Sequence, residues 1–181
     1  MGLSPGEKRL LVDLAWSALR SFIEGRADDC PPGGPEGLTP SLTRHGGVFV
    51  TVYLHGEPRG CMGTVLPVLP IWQACRENAR NAVYKDPRFL PLEVGDLSDV
   101  TLEIVIIDNP RPLGSPPVTP AKSALMVSRG GRREVFLPGA FEGMADGDQE
   151  ALERLRSRVH IDADESGDTE EWTVFDVEIV R

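Results

Sequence analysis

Val48-Phe49-Val50-Thr51-Val52-Tyr53-Leu54 is the clearest strand in the sequence, and Arg59-Gly60-Cys61-Met62-Gly63-Thr64 follows it after the turn His55-Gly56-Glu57-Pro58. The first stretch alternates branched residues with others, which is typical of a strand. The turn predicts that the two stretches form a hairpin. Glycines inside a strand usually mark a bulge or the close approach of a ligand or another backbone. We therefore expect the fold to be organised around this hairpin.

Two opposing influences act on the pKa of the Cys61 thiol in the predicted hairpin. If a four-residue loop joins the strands, Cys61 lies opposite Val52 and shares a face with valines, which raises the thiol pKa, whereas Arg59 would favour a thiolate. A bulge at either glycine would turn Cys61 to the other face. The segment Arg59–Thr64 is thus a reactive site, one wall of a binding site or a place of close structural packing. We favour a structural role for Cys61.

A nucleophilic cysteine also needs a base, usually a histidine. The candidates are His45, His55 and His160. His55 lies at the hairpin tip, ~13 Å along the strand from Cys61, and we interpret the other two as surface or helix-end residues. No spacing of Cys, His and Asp resembles a zinc site. We predict neither a metal nor a cofactor.

Two further charged groups are candidates for binding. Arg59 is suited to binding a carboxylate or a phosphate, with help from backbone N–H groups at a bulge. In the alternative interpretation, Arg59 is only a solvated strand residue near the turn. Asp86-Pro87-Arg88 either presents a carboxylate and a guanidinium or only ends a helix with a local ion pair. The candidate set for a small anionic ligand is Arg59, Gly60, Cys61, Gly63, Asp86 and Arg88, with Cys61 as the candidate catalytic residue.

The rest of the chain predicts an α+β fold with two lobes. Ser4 and Glu7 form a capping box that begins a helix, and the apolar stripe of that helix runs from Leu11 to Phe22. Five prolines between Pro110 and Pro120 indicate a stiff connection, so we place the lobe boundary near 109–121. Both halves contain a hairpin, a helix and a further strand, which suggests an internal structural duplication: 48–65, 71–84 and 100–107, then 124–137, 148–158 and 172–180.

Composition excludes several classes of partner. The net charge of −9 and the scattered basic residues argue against nucleic-acid binding. Apolar runs are shorter than the roughly 18 residues of a membrane span, and the N-terminus lacks a signal-peptide pattern. The three cysteines contain no Cys-x-x-Cys pair, as expected of reduced thiols. We expect a cytoplasmic protein that contacts neither nucleic acid nor membrane.

The residues resemble the AMMECR family. The resemblance rests on Gly47–Thr51, on Pro58–Thr64 with its Arg-Gly-Cys-x-Gly motif, and on Asp86–Leu92. It continues weakly through 132–138 and through Trp172 and Phe175, so that residues 1–181 form a single domain of this type. Met62 stands where the family commonly has Ile or Val.

The resemblance implies a two-lobed α+β protein of the cytoplasm that acts with a Memo-like protein and a radical S-adenosylmethionine enzyme. It implies no established reaction. Two hypotheses follow. In the first, the chain is a binding accessory protein and its partners perform the chemistry. In the second, it is an enzyme that uses Cys61 as a nucleophile or as a modified thiol.

Overall fold

The computed structural model describes residues 2–27, 29–31, 33–114, 123–129, 131–138, 157 and 170–181. The chain divides into two compact units, one of Met1–Ile107 with Glu178–Arg181 and one of Asp108–Val177. Helices and antiparallel strands are both present, which confirms the α+β class. Within the described ranges, no helix is long and apolar enough to span a membrane.

Helix α1 spans Pro5–Ile23 in the first unit, and its predicted start is confirmed. The Ser4 side chain accepts the Glu7 N–H, and the Glu7 carboxylate accepts the Ser4 N–H. The predicted inward position of Phe22 is wrong. Its side chain is 40% exposed and stacks on Tyr84, with ring centroids 4.6 Å apart, because it lies at the rim of the apolar stripe, where the neighbouring helix offers an aromatic surface.

Two short helices and one longer helix follow in this unit. Helix α2 spans Pro40–Thr43 and a 3₁₀ helix spans Val94–Asp99, and neither was predicted. Helix α3 spans Ile71–Tyr84, as predicted, and packs against α1 and the hairpin. Cys75 is fully buried in the α3 face, and its burial raises the pKa of the thiol to about 12. The prediction that Cys75 is a buried structural thiol is confirmed.

The first unit contains strands β1 (Gly47–Leu54), β2 (Glu57–Thr64) and the first part of β3 (Val100–Leu113). β1 is the middle strand and pairs antiparallel with β2 and with β3. The valines of one β1 face are fully buried in the core: Val48, Val50 and Val52. The core therefore lies between this sheet face and helices α1 and α3.

The predicted register of the hairpin is wrong. The turn consists of two residues, His55 and Gly56, with φ values of 53° and 83°, the positive values that a two-residue hairpin turn requires. A bulge then places Arg59 as an extra residue, so that Val52 lies opposite Gly60 and Thr51 lies opposite Cys61. Because this one inserted residue changes the alternation, Cys61 lies on the face opposite to the buried valines.

The second unit contains strands β4 (Ser123–Arg129), β5 (Arg132–Phe136) and most of β6 (Glu171–Val180). β4 is the middle strand and pairs antiparallel with both of the others. β3 continues into this unit as far as Leu113, six residues beyond its predicted end, because proline is compatible with extended backbone. The predicted helix 148–158, apart from Ser157, and His160 lie outside the described residues, so the duplication stays a prediction.

Candidate functional site

Gly60 is the point of closest approach between β2 and α3. A Cβ atom at Gly60 would lie 1.9 Å from the carbonyl oxygen of Ala82 and 2.9 Å from its carbonyl carbon. Both are backbone atoms of the last turn of α3, so neither can rotate away. Only glycine therefore allows the strand and the helix to lie this close.

Gly63 permits a second close contact on the other face of β2. A Cβ atom there would lie 2.4 Å from the ring of Phe49 and 2.5 Å from the carbonyl oxygen of Val48. Phe49 is the residue directly opposite Gly63 in β1. The aromatic ring therefore lies over the glycine, and each glycine of the motif makes room for a neighbouring group of the protein itself.

Asp86 joins the segment after α3 to the edge of β2. Its carboxylate accepts the backbone N–H of Cys61 at 2.9 Å, and it also accepts two side-chain N–H groups of Arg88 at 2.8 and 2.6 Å. The hydrogen bonds from Arg88, followed by that from Cys61, lower the pKa of Asp86 to about 2 against the opposing effect of its burial. The prediction of a local ion pair at Asp86-Pro87-Arg88 is confirmed, and the ion pair also anchors β2.

The Cys61 thiol is partly buried and accepts a hydrogen bond from the Thr51 hydroxyl at 3.3 Å. Burial raises the pKa of Cys61, whereas the Thr51 hydroxyl and the Arg88 guanidinium act in the opposite direction. The cation that acts on the thiol is therefore Arg88, 27 residues along the chain, and not the neighbouring Arg59 as expected.

Arg59 and the histidines complete the predicted set. Arg59 lies at the bulge, is half-buried, and makes no hydrogen bond or ion pair with any residue that the structure describes. His55 lies at the hairpin tip, as predicted, 3.8 Å from the Asp99 carboxylate. His45 is exposed and forms an isolated bridge with Pro70. Neither histidine contacts Cys61, and across the described ranges no three Cys, His, Asp or Glu side chains cluster as metal ligands.

Sequence reasoning missed two neighbours of Cys61 on its sheet face. Thr51 lies between Cys61 of β2 and Glu103 of β3, directly opposite both. The three side chains therefore form one polar row across the strands. Only the correct register could have identified this row, because an error of one residue moves every side chain of β2 to the other face.

The chain is thus an α+β protein whose central hairpin carries an Arg-Gly-Cys-Met-Gly segment, fastened to the end of a helix by a buried aspartate. The AMMECR1 family matches residues 12–180. A protein of Methanothermobacter thermautotrophicus is 34% identical over 143 residues, which are 75% of this chain and 73% of that protein. The chain belongs to the AMMECR1 family.

Two other relatives show the extent of the similarity. A protein of Thermococcus onnurineus is 31% identical over 139 residues, which are 71% of this chain and 66% of that protein, so the match covers slightly less than two thirds of the relative. The crystal structure of PH0010, an uncharacterized protein of Pyrococcus horikoshii, matches with a TM-score of 0.80 and 23% identity, over 98% of this chain and 92% of that chain. At this identity the likeness shows the fold alone.

Proposed function

We propose that this protein is a cytoplasmic accessory component that binds a ligand or partner and acts with a Memo-like protein and a radical S-adenosylmethionine enzyme. Its site is the segment Arg59–Gly63 together with Asp86 and Arg88. The group that it binds is anionic, on a small ligand or on a partner side chain. The chemistry belongs to the partner enzymes.

The observation that carries the proposal is the way in which Arg88 is held. Its side chain is 64% exposed, while the carboxylate of Asp86 that it contacts is only 3% exposed and is fixed to the Cys61 N–H. A buried acid thus holds an exposed guanidinium in one orientation beside the hairpin edge. A cation that is already oriented loses less conformational entropy when it binds an anion.

Arg59 supports the same conclusion. It is a half-buried cation on the same segment, and it has no hydrogen-bond or ion-pair partner within the described residues. Burial of a charged group costs free energy unless an opposite charge compensates for it. An anionic group of a ligand would supply that compensation.

The state of Cys61 favours binding over the alternative, in which this cysteine is a nucleophile or a modified thiol. Burial is the largest influence on its pKa and raises it, so that little thiolate forms near neutral pH. The Thr51 hydroxyl and Arg88 oppose this effect and are the features that speak for the alternative. The alternative is tested below by alkylation.

Calorimetric titration of the purified chain with the Memo-like protein and with the radical enzyme, separately and together, tests the proposal. We expect Arg59→Ala to weaken binding by about tenfold, the loss of one charge-assisted hydrogen bond. Arg132→Ala is the matched control, because it removes the same charge from an exposed residue of the second unit. Failure of the wild-type chain to bind either protein, or equal losses in both variants, would refute the proposal.

A further inference from the structure

A cavity of about 520 Å³ lies beside β3, on the far side of β1 from Cys61. Val12 and Trp16 of α1 form one wall, residues 100–103 of β3 form another, and Tyr53 and Arg181 complete it. Its volume is within the range of small-molecule sites. It contains none of the six residues of the candidate set described above, so it is a separate site.

Glu103 gives this cavity a carboxylate group. Its Oε2 accepts Nε of Arg181 at 2.7 Å and Nη2 at 2.6 Å, and its side chain is only 15% exposed. Both of these bonds go to Oε2, so Oε1 is the oxygen that a ligand can approach. A carboxylate oxygen at the wall of a cavity is a favourable position for an N–H group of a ligand.

The other residues that line the cavity indicate the chemical class of the ligand. Val12 and Leu102 are aliphatic, and Trp16 and Tyr53 are half-buried aromatic side chains. Aromatic side chains favour flat aromatic ligands, which stack on them or meet them edge to face. Because Arg181 already compensates the charge of Glu103, a neutral donor leaves the site neutral, whereas a cationic ligand would add an uncompensated charge beside Arg181.

We propose that this cavity binds a neutral, planar aromatic small molecule with a ring N–H group, which donates a hydrogen bond to Glu103. The ring contacts the aromatic side chains that line the cavity. This site is independent of the one formed by Arg59–Gly63, because the two share no residue. Failure of either proposal therefore leaves the other untouched.

Indole and benzofuran test the proposal, because they have the same shape and differ in the ring N–H that benzofuran lacks. We would titrate each into the full ¹⁵N-labelled chain and follow the amide resonances and the side-chain resonance of Trp16. Indole should bind about tenfold more tightly than benzofuran, the ratio expected from one hydrogen bond to a charged group. The shifted resonances should centre on Trp16, Tyr53 and Thr101.

Two variants locate the site. Thr101 is exposed at the cavity, so Thr101→Trp should fill the space and abolish binding of both probes. In Glu103→Gln, the amide oxygen faces Arg181 and the NH₂ group faces the cavity, so the preference for indole should disappear. Glu36→Gln is the matched control at an exposed loop position and should keep the preference.

Several results would overturn the proposal: no binding of indole up to its solubility, equal affinities of the wild-type chain for the two probes, or shifts centred outside the cavity. A preference for indole that survives in Glu103→Gln would also overturn it. If Thr101→Trp does not fold, judged by its amide spectrum, the probe ratio and the Glu103→Gln variant still decide the question.

Discussion

Replacement of Gly60 by alanine perturbs the contact that fastens the hairpin to α3. The added methyl group would lie 1.9 Å from the Ala82 carbonyl oxygen, so the strand and the helix must separate by about 1.5 Å to restore ordinary contact. That movement also pulls the Cys61 N–H away from Asp86, whose hydrogen bond is 2.9 Å long. Overpacking of this kind costs typically about 1–3 kcal/mol.

The net effect on the free energy of unfolding should be a loss of about 2–2.5 kcal/mol. Overpacking against backbone lies at the upper end of that range, and the entropy that alanine saves in the unfolded chain offsets it by ~0.5–1 kcal/mol. Urea unfolding followed by circular dichroism measures the loss, and the slope of the transition should stay unchanged. Gly95→Ala is the control, since no atom lies within 4 Å of its added methyl group. If the two variants differ by less than about 0.5 kcal/mol, the close contact does not determine the choice of glycine.

Three further predictions concern the contacts of strand β2 with its neighbours. In Gly63→Ala, the new methyl group meets the Phe49 ring at 2.4 Å and the Val48 carbonyl oxygen at 2.5 Å, so both a side chain and the backbone must move; the variant should lose about 1–3 kcal/mol in the same urea assay, and an unchanged midpoint would contradict the contact. In Asp86→Asn, the stability deficit relative to wild type should be about 2 kcal/mol above pH ~4. Since the pKa of Asp86 is lowered from 3.8 to about 2, this deficit should narrow as the pH falls between these two values, and a constant deficit from pH 6 to pH 2 would exclude the carboxylate as its source. Because burial raises the pKa of Cys61, iodoacetamide should alkylate it no faster at pH 8 than it alkylates the urea-unfolded chain, as measured by mass spectrometry of the Cys61 peptide; faster alkylation of the folded chain would instead favour the enzyme hypothesis.

The elements with strong local signals could be predicted from the sequence. The capping box at Ser4 marks the start of α1, and the apolar face around Cys75 marks α3. The alternation of residues 48–54 identifies β1. These predictions succeed because each depends on neighbours within a few residues.

The register of the hairpin could not be predicted, since it depends on one inserted residue. Either a two-residue or a four-residue turn without a bulge would place Cys61 among the valines, and the bulge at Arg59 reverses this. No local pattern distinguishes these possibilities, because the close approach of Ala82 to Gly60 belongs to the tertiary structure. The role of Asp86 was missed for the same reason: it contacts Cys61 from 25 residues away.

The structure therefore changes the interpretation of the roles of the glycines and of Cys61. From the sequence, the glycines were expected to meet a ligand while Cys61 packed against the core. In the structure, Gly60 and Gly63 accommodate Ala82 and Phe49, while Cys61 lies on the sheet face away from the buried valines. The charged groups suited to binding an anion are the exposed Arg88 and the half-buried Arg59, so our proposal depends most on these two arginines.

The claim that the segment binds and does not catalyse is tested most directly by Cys61→Ser in the same titration with the Memo-like protein and the radical enzyme. Serine keeps the backbone N–H that Asp86 accepts and a side-chain atom for the Thr51 hydroxyl, but it cannot act as a thiol. We predict an affinity within about twofold of wild type and unchanged support of the partners' reaction. Complete loss of function in a variant that folds and binds normally would contradict this account and would show that the thiol itself is required.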